Sequence, residues 1–99
     1  MDRHHIDETR LVTRRSGRDQ IFLAWDYRCA YCDTELGRSP TLDHIIPKAH
    51  GGLTVRSNLA ACCLACNCSK GHKPWVDWFR QQPFWSASRE WAIVQWLAS

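Results

Sequence analysis

An α+β fold, in the order helix, strand, loop, strand, helix with further helices behind, is predicted by three features of this 99-residue chain. Two short β-type runs, Thr41-Leu42-Asp43-His44-Ile45-Ile46 and Leu59-Ala60-Ala61-Cys62, are separated by Pro47 and the Gly51-Gly52 turn. Apolar residues at helical spacing precede and follow them. Two matched Cys-x-x-Cys pairs, Cys29 with Cys32 and Cys63 with Cys66, bracket the first run and adjoin the second.

Residues 1–17 read as a polar, basic arm whose one strand-like stretch is Leu11-Val12-Thr13. From Arg18 the spacing of Ile21, Phe22 and Trp25 predicts a helix with one apolar face running into the first cysteine pair. Gly37-Arg38-Ser39-Pro40 breaks the chain, and Pro47 stops the strand that follows. Leu64 to Gly71 reads as a helix ending on a glycine C-cap. Pro74 opens a further helix, with Trp75, Trp78 and Phe79 at i, i+3 and i+4, and Pro83 closes it. Ile93, Trp96 and Leu97 repeat the spacing in a last helix capped by Ser86 or Ser88.

Five of the six tryptophans lie beyond Pro74, and a stripe of aromatics at helical spacing assigns them to packing rather than to base stacking. The chain is thus expected to form a single domain over 1–99, with the arm at 1–17, the core at 18–73 and a Trp-rich helical tail at 74–99.

A domain of this size has much surface for its volume and needs a staple. Two two-residue gaps separated by a long loop form a zinc pattern more than a disulfide framework. The charged N-terminus, Met1-Asp2-Arg3-His4-His5, leads into no apolar segment, so neither a secretory signal nor a membrane span is expected. That places the thiols in a reducing cytoplasm, where they stay available to metal. Cys29, Cys32, Cys63 and Cys66 would close a tetrahedral Zn²⁺ site, leaving Cys62 and Cys68 as small, partly buried thiols, although pairing of Cys62 with Cys66 also fits a short loop.

The formal charge is +3, and a zinc tetrathiolate lowers it to about +1, so net charge does not identify a polyanionic partner. Distribution says more. Arg10, Arg14, Arg15 and Arg18 cluster near the N-terminus, and Lys70, His72, Lys73 and Arg80 follow the second cysteine pair. Two local basic patches suit a phosphate backbone, with Lys70, Lys73, Arg14 and Arg15 the candidate nucleic-acid contacts. His50, beside the Gly-Gly turn, reads as exposed.

Between the cysteine pairs stands Asp43-His44, and Asn67 directly follows Cys66. Carboxylate and amide oxygens suit a hard divalent ion, and an imidazole with an unperturbed pKa of about 6.5 accepts a proton at neutral pH. On a regular strand Asp43 and His44 face opposite sides, so a common target requires the strand to end or twist there.

The succession Cys-x-x-Cys, Leu42-Asp43-His44-Ile45-Ile46-Pro47, Gly51-Gly52, Ser57-Asn58-Leu59, Cys63-x-x-Cys66-Asn67 and Lys70-Gly71 resembles the HNH endonuclease family over about residues 29 to 73. The resemblance implies a ββα-metal nuclease core stapled by a four-cysteine zinc site, with flanking helices. It makes His44 the general base that activates water and Asn58 the residue that braces the loop and helps orient it. Asp43 and Asn67 become ligands of a catalytic ion. Asn67 stands where other members carry histidine, which favours Mg²⁺ or Mn²⁺. The implied activity is metal-dependent hydrolysis of DNA phosphodiesters, one strand per active centre, leaving a 5′-phosphate and a 3′-hydroxyl.

A chain with one such centre is expected as a monomer or weak homodimer, on its own or within a larger nuclease or phage assembly. The competing reading is a non-catalytic zinc module that binds nucleic acid or a protein partner through the same cage and basic patches. The Asp43, His44 and Asn67 set separates the two, because a pure binding module has no reason to keep those residues together.

Overall fold

The computed structural model describes residues 15–99. The strand-like stretch Leu11-Val12-Thr13 and the candidate contact Arg14 lie outside them. Helix α1 (Arg15–Ala24) is followed by strand β1 (Thr41–His44), strand β2 (Leu59–Cys62), and helices α2 (Leu64–Lys70), α3 (Trp75–Arg80) and α4 (Ala87–Leu97). Two 3-10 turns, Lys48–His50 and Arg56–Asn58, shape the connection between the strands.

The strands pair antiparallel, Thr41 opposite Cys62 and His44 opposite Leu59. β1 ends at His44, two residues before the expected stop, because Ile46 turns into the loop, where both its N–H and its carbonyl bond the side chain of Asn58. All four residues of β2 are buried, since both faces of that strand are covered. Ile21 of α1 packs with Leu59, and the knuckles gather against Ala60 and Cys62.

A two-stranded sheet leaves the outer carbonyls of β2 without a strand partner. Here they are satisfied from elsewhere in the chain. Ala30 N–H donates to the Ala61 carbonyl at 2.9 Å, and the Trp96 indole N–H donates to the Leu59 carbonyl at 2.8 Å. The first tie docks the first knuckle on the sheet edge, and the second docks α4.

Helix ends follow the capping signals. Cys63 is the N-cap of α2, its sulfur accepting from the Cys66 N–H, and Ser86 caps α4 by accepting from the Arg89 N–H. Gly71 ends α2 at φ +54, a conformation that L side chains rarely adopt. Pro74 sits at the N-cap of α3, one position earlier than expected.

The C-terminal stretch packs into the core. Trp78 and Phe79 are buried and meet the ring of Tyr31 edge-on, with centroids 5.0 and 5.3 Å away. Trp96 packs on Trp25, and the Arg56 guanidinium lies 4.6 Å above its ring. The assignment of every tail tryptophan to packing needs correction. Trp91 is 66 % exposed and Trp85 39 %, because α4 turns Trp91 to the side opposite its buried Ile93, and Trp85 uses its N–H on the Glu90 carboxylate.

Candidate functional site

The four predicted zinc ligands converge. Their sulfur atoms all lie within 4.8 Å of one another, and those of Cys32 and Cys63 are 3.7 Å apart. A tetrahedral zinc with bonds of about 2.3 Å separates its sulfurs by about 3.8 Å, so this donor set is consistent with a zinc site. Cys29 and Cys66 are buried, whereas Cys32 and Cys63 are partly open.

The first knuckle is a reversing loop that starts after left-handed Asp26 and Tyr27. It is closed by the bridge between Arg28 and Glu35 and turned by left-handed Asp33. The second knuckle is the N-terminus of α2. Hydrogen bonds from the Cys62 and Cys66 thiols hold the Cys29 thiol well below the ordinary thiol range. Cys62 and Cys68 are not the partly buried pair expected, since Cys62 points into the core and Cys68 lies exposed on α2.

His44 closes β1 in a half-buried position, its Nε2 sharing a hydrogen bond of 2.9 Å with Thr54 Oγ1. Desolvation, assisted by the charge of Lys48, holds its pKa below the usual histidine value, against the opposing charge of Asp43. At neutral pH the ring is uncharged and able to accept a proton.

The Asn58 side chain makes no hydrogen bond to the His44 ring among the described residues. It is buried, and its amide bonds Ile46 N–H at 2.8 Å, the Ile46 carbonyl at 3.0 Å and the Leu53 carbonyl at 2.9 Å. Its side chain thereby stands in for a strand partner just where β1 ends. Gly52 is required beside it, because a Cβ there would lie 1.7 Å from the Ile46 oxygen.

Asp43 points inward from β1 and is 3 % exposed. Oδ2 accepts from the Tyr31 hydroxyl at 2.6 Å, and Oδ1 accepts from the Lys70 ammonium at 3.2 Å. Burial raises the carboxyl pKa, partly offset by Lys70 and by the Tyr31 hydrogen bond. Burial, and with it the same carboxylate, pushes the Tyr31 phenol well up. Asn67 of α2 is half-buried and donates to Thr41 Oγ1 at 3.0 Å and to the Leu42 carbonyl at 3.3 Å.

Lys70 is not the surface phosphate contact expected from sequence. It is fully buried, and its ammonium also donates to the His44 carbonyl at 3.0 Å. Position i+3 from Asn67 turns it along the same face of α2 toward β1 instead of outward. Lys73 is exposed and donates to the Ser69 carbonyl at 3.0 Å, leaving its charge at the surface. His50 is exposed, as expected, with Nε2 3.0 Å from the His72 carbonyl. Arg15 opens α1.

Two side chains that hydrogen-bond the candidate residues escaped the sequence. Thr54 carried no signal, because only the fold of the 45–58 loop brings it to His44. Tyr31 did carry one, since a phenol between two zinc ligands is held in a buried turn and needs a partner for its hydroxyl.

A zinc-type cysteine cluster beside an antiparallel strand pair and a helix, with a half-buried histidine at the strand end, defines a cysteine-stapled strand-strand-helix module. The sequence model of the HNH endonuclease family matches residues 29–78, half of the chain, and the protein belongs to that family. It is also 45% identical over 53 residues to the CRISPR-associated endonuclease Cas9 of Corynebacterium diphtheriae. The aligned stretch covers 52% of this chain and 5% of that protein, so the chain corresponds to a small part of its relative's length. Among the described residues, no helix is long and apolar enough to cross a membrane.

Proposed function

We propose that the protein is a DNA endonuclease that hydrolyses one phosphodiester per active centre, leaving a 5′-phosphate and a 3′-hydroxyl. The observation that carries this reading is the half-buried His44 at the end of β1, its Nε2 held 2.9 Å from Thr54 Oγ1, with burial favouring the uncharged ring. In the tautomer whose Nε2–H donates to Thr54, the Nδ1 lone pair is the one that takes a proton from water. Asn58 and Gly52 fix the loop behind the histidine and act as positioning residues.

Asp43 and Asn67 are the proposed holders of a catalytic Mg²⁺ or Mn²⁺, to which their oxygens are chemically suited. When bound, such an ion stabilises the added negative charge on the phosphate. Lys73, with Arg14 and Arg15 near the N-terminus, supplies the proposed backbone contacts, which position DNA without reading its sequence. The similarity to a segment of Cas9 supports a place for the module within a larger nucleic-acid-cutting assembly.

One observation favours the alternative, a zinc module without catalysis, since both Asp43 oxygens are engaged inside the protein. Nicking of supercoiled plasmid with Mg²⁺ or Mn²⁺, compared between the wild type and His44→Ala, decides. Nicking by the wild type alone is expected; equal nicking by both would remove His44 from the reaction.

A further inference from the structure

The Asp43–Lys70 pair is out of keeping with a purely structural role. The two side chains are 3 % and 0 % exposed, in a chain too small to hide charges cheaply. An apolar pair of similar volume would fill that space at no desolvation cost. The surroundings are specific as well. Lys70 is three residues from Asn67 on α2, and its ammonium bridges the Asp43 carboxylate and the His44 carbonyl. A single positive charge therefore sits between the proposed carboxylate ligand and the backbone of the proposed base, where a cation would be wanted.

The two partners of Asp43 differ in how they can leave. Tyr31 is locked by its ring against Trp78 and Phe79, so its hold on Oδ2 is fixed. Lys70 reaches Oδ1 on a four-carbon stem from the last turn of α2, whose other end is pinned by Cys63 and Cys66. Of the two partners, the ammonium on its rotatable four-carbon stem is the more movable, since the phenol is fixed by its ring packing.

We propose that the Lys70 ammonium is the resident counter-ion of Asp43, and that a divalent ion reaches the carboxylate only by displacing it, so that Lys70 sets the metal affinity of the site. The exchange is electrostatic, with no bond broken, and it swaps a monovalent cation for a divalent one on the same oxygen. The proposal rests on the reading of Asp43 as a metal ligand. It gives the buried pair a purpose, since a metal-free centre is kept neutral and ordered.

The test is a Mn²⁺ titration of the zinc-loaded protein, with free Mn²⁺ read by electron paramagnetic resonance. Lys70→Met and Lys70→Gln should each bind Mn²⁺ about tenfold or more tightly than the wild type, and adding Asp43→Asn should remove the gain. In the unaltered protein, Mg²⁺ should shift the Lys70 Cε resonance from its buried value toward that of solvated lysines. Equal Mn²⁺ affinity in the wild type and both Lys70 variants, a Lys70 resonance unmoved at saturation, or no Asp43-dependent binding in any of them overturns the exchange. Plasmid nicking in the same samples bears on a different point. Exchange without nicking by the wild type would sink the nuclease reading and leave the exchange standing.

Discussion

The Tyr31 hydroxyl donates to Oδ2 of Asp43 at 2.6 Å, tying the turn between the first two zinc ligands to the carboxylate next to His44. Because the Tyr31 ring also packs on Trp78 and Phe79, the cysteine cage, helix α3 and the candidate site meet on one side chain.

Replacing Tyr31 with Phe keeps that packing and removes the donor. A buried carboxylate deprived of one hydrogen bond costs about 1–3 kcal/mol, measurable by urea unfolding of the zinc-loaded protein. The pH dependence has a definite sign. Burial already raises the Asp43 pKa above its unfolded value, so the folded state binds the proton more readily, and this group's contribution to stability falls as pH rises through that window. Loss of the Tyr31 bond raises the pKa further, and the decline should extend to higher pH.

Zinc removal should abolish the fold. The cage joins the first knuckle to α2, with buried Cys29 and Cys66 at its inner side. A tight chelator, or Cys29→Ser, is expected to erase the near-ultraviolet signal of the tryptophans and the cooperative melt, since the binding energy of a structural zinc rivals a small domain's whole stability of about 5–15 kcal/mol.

His44 predicts the acid side of the activity profile. With its pKa depressed by desolvation and by Lys48, the nicking rate should hold down to below the usual histidine value before it falls. Lys48→Ala should move that fall to higher pH, and His44→Ala should lower the rate by about 10²–10⁴-fold. A profile that does not move in Lys48→Ala would show that another group controls the limb.

Asn58→Ala strips three hydrogen bonds from the loop that follows β1 and leaves buried backbone groups unpaired. A loss of about 3 kcal/mol or more is expected in unfolding, with faster hydrogen exchange at the Ile46 amide. Gly52→Ala should be comparably harmful, because its methyl would collide with the backbone at Ile46.

Trp96→Phe tests the tie between α4 and β2. It keeps a ring against Trp25 and Arg56 but loses the donor to the Leu59 carbonyl, with an expected cost of about 1 kcal/mol in thermal or urea unfolding. Zinc content should be unchanged.

Much of this was legible from the chain because local rules decide it. Spacing of two residues makes Cys29 with Cys32 and Cys63 with Cys66 into ligand pairs, and Ser86, Pro74 and Gly71 mark helix ends by their own backbone chemistry. The elements follow the expected order, with α1 starting three residues before Arg18 and β1 ending two residues before Ile46. The sequence alone also determined that a proton acceptor, a carboxylate and an amide lie on the strand and helix bound to the cage.

What depended on distant contacts was not legible. Lys70 looks like any basic residue near a helix end, and only the approach of α2 to β1 turns its ammonium onto Asp43 and away from solvent. Thr54 meets His44, and Trp91 stays exposed while Trp78 is buried, for the same reason. Composition fixes which side chains can bond, but the angle at which helices cross a strand pair decides which of them do, and that angle is set by packing over the whole core.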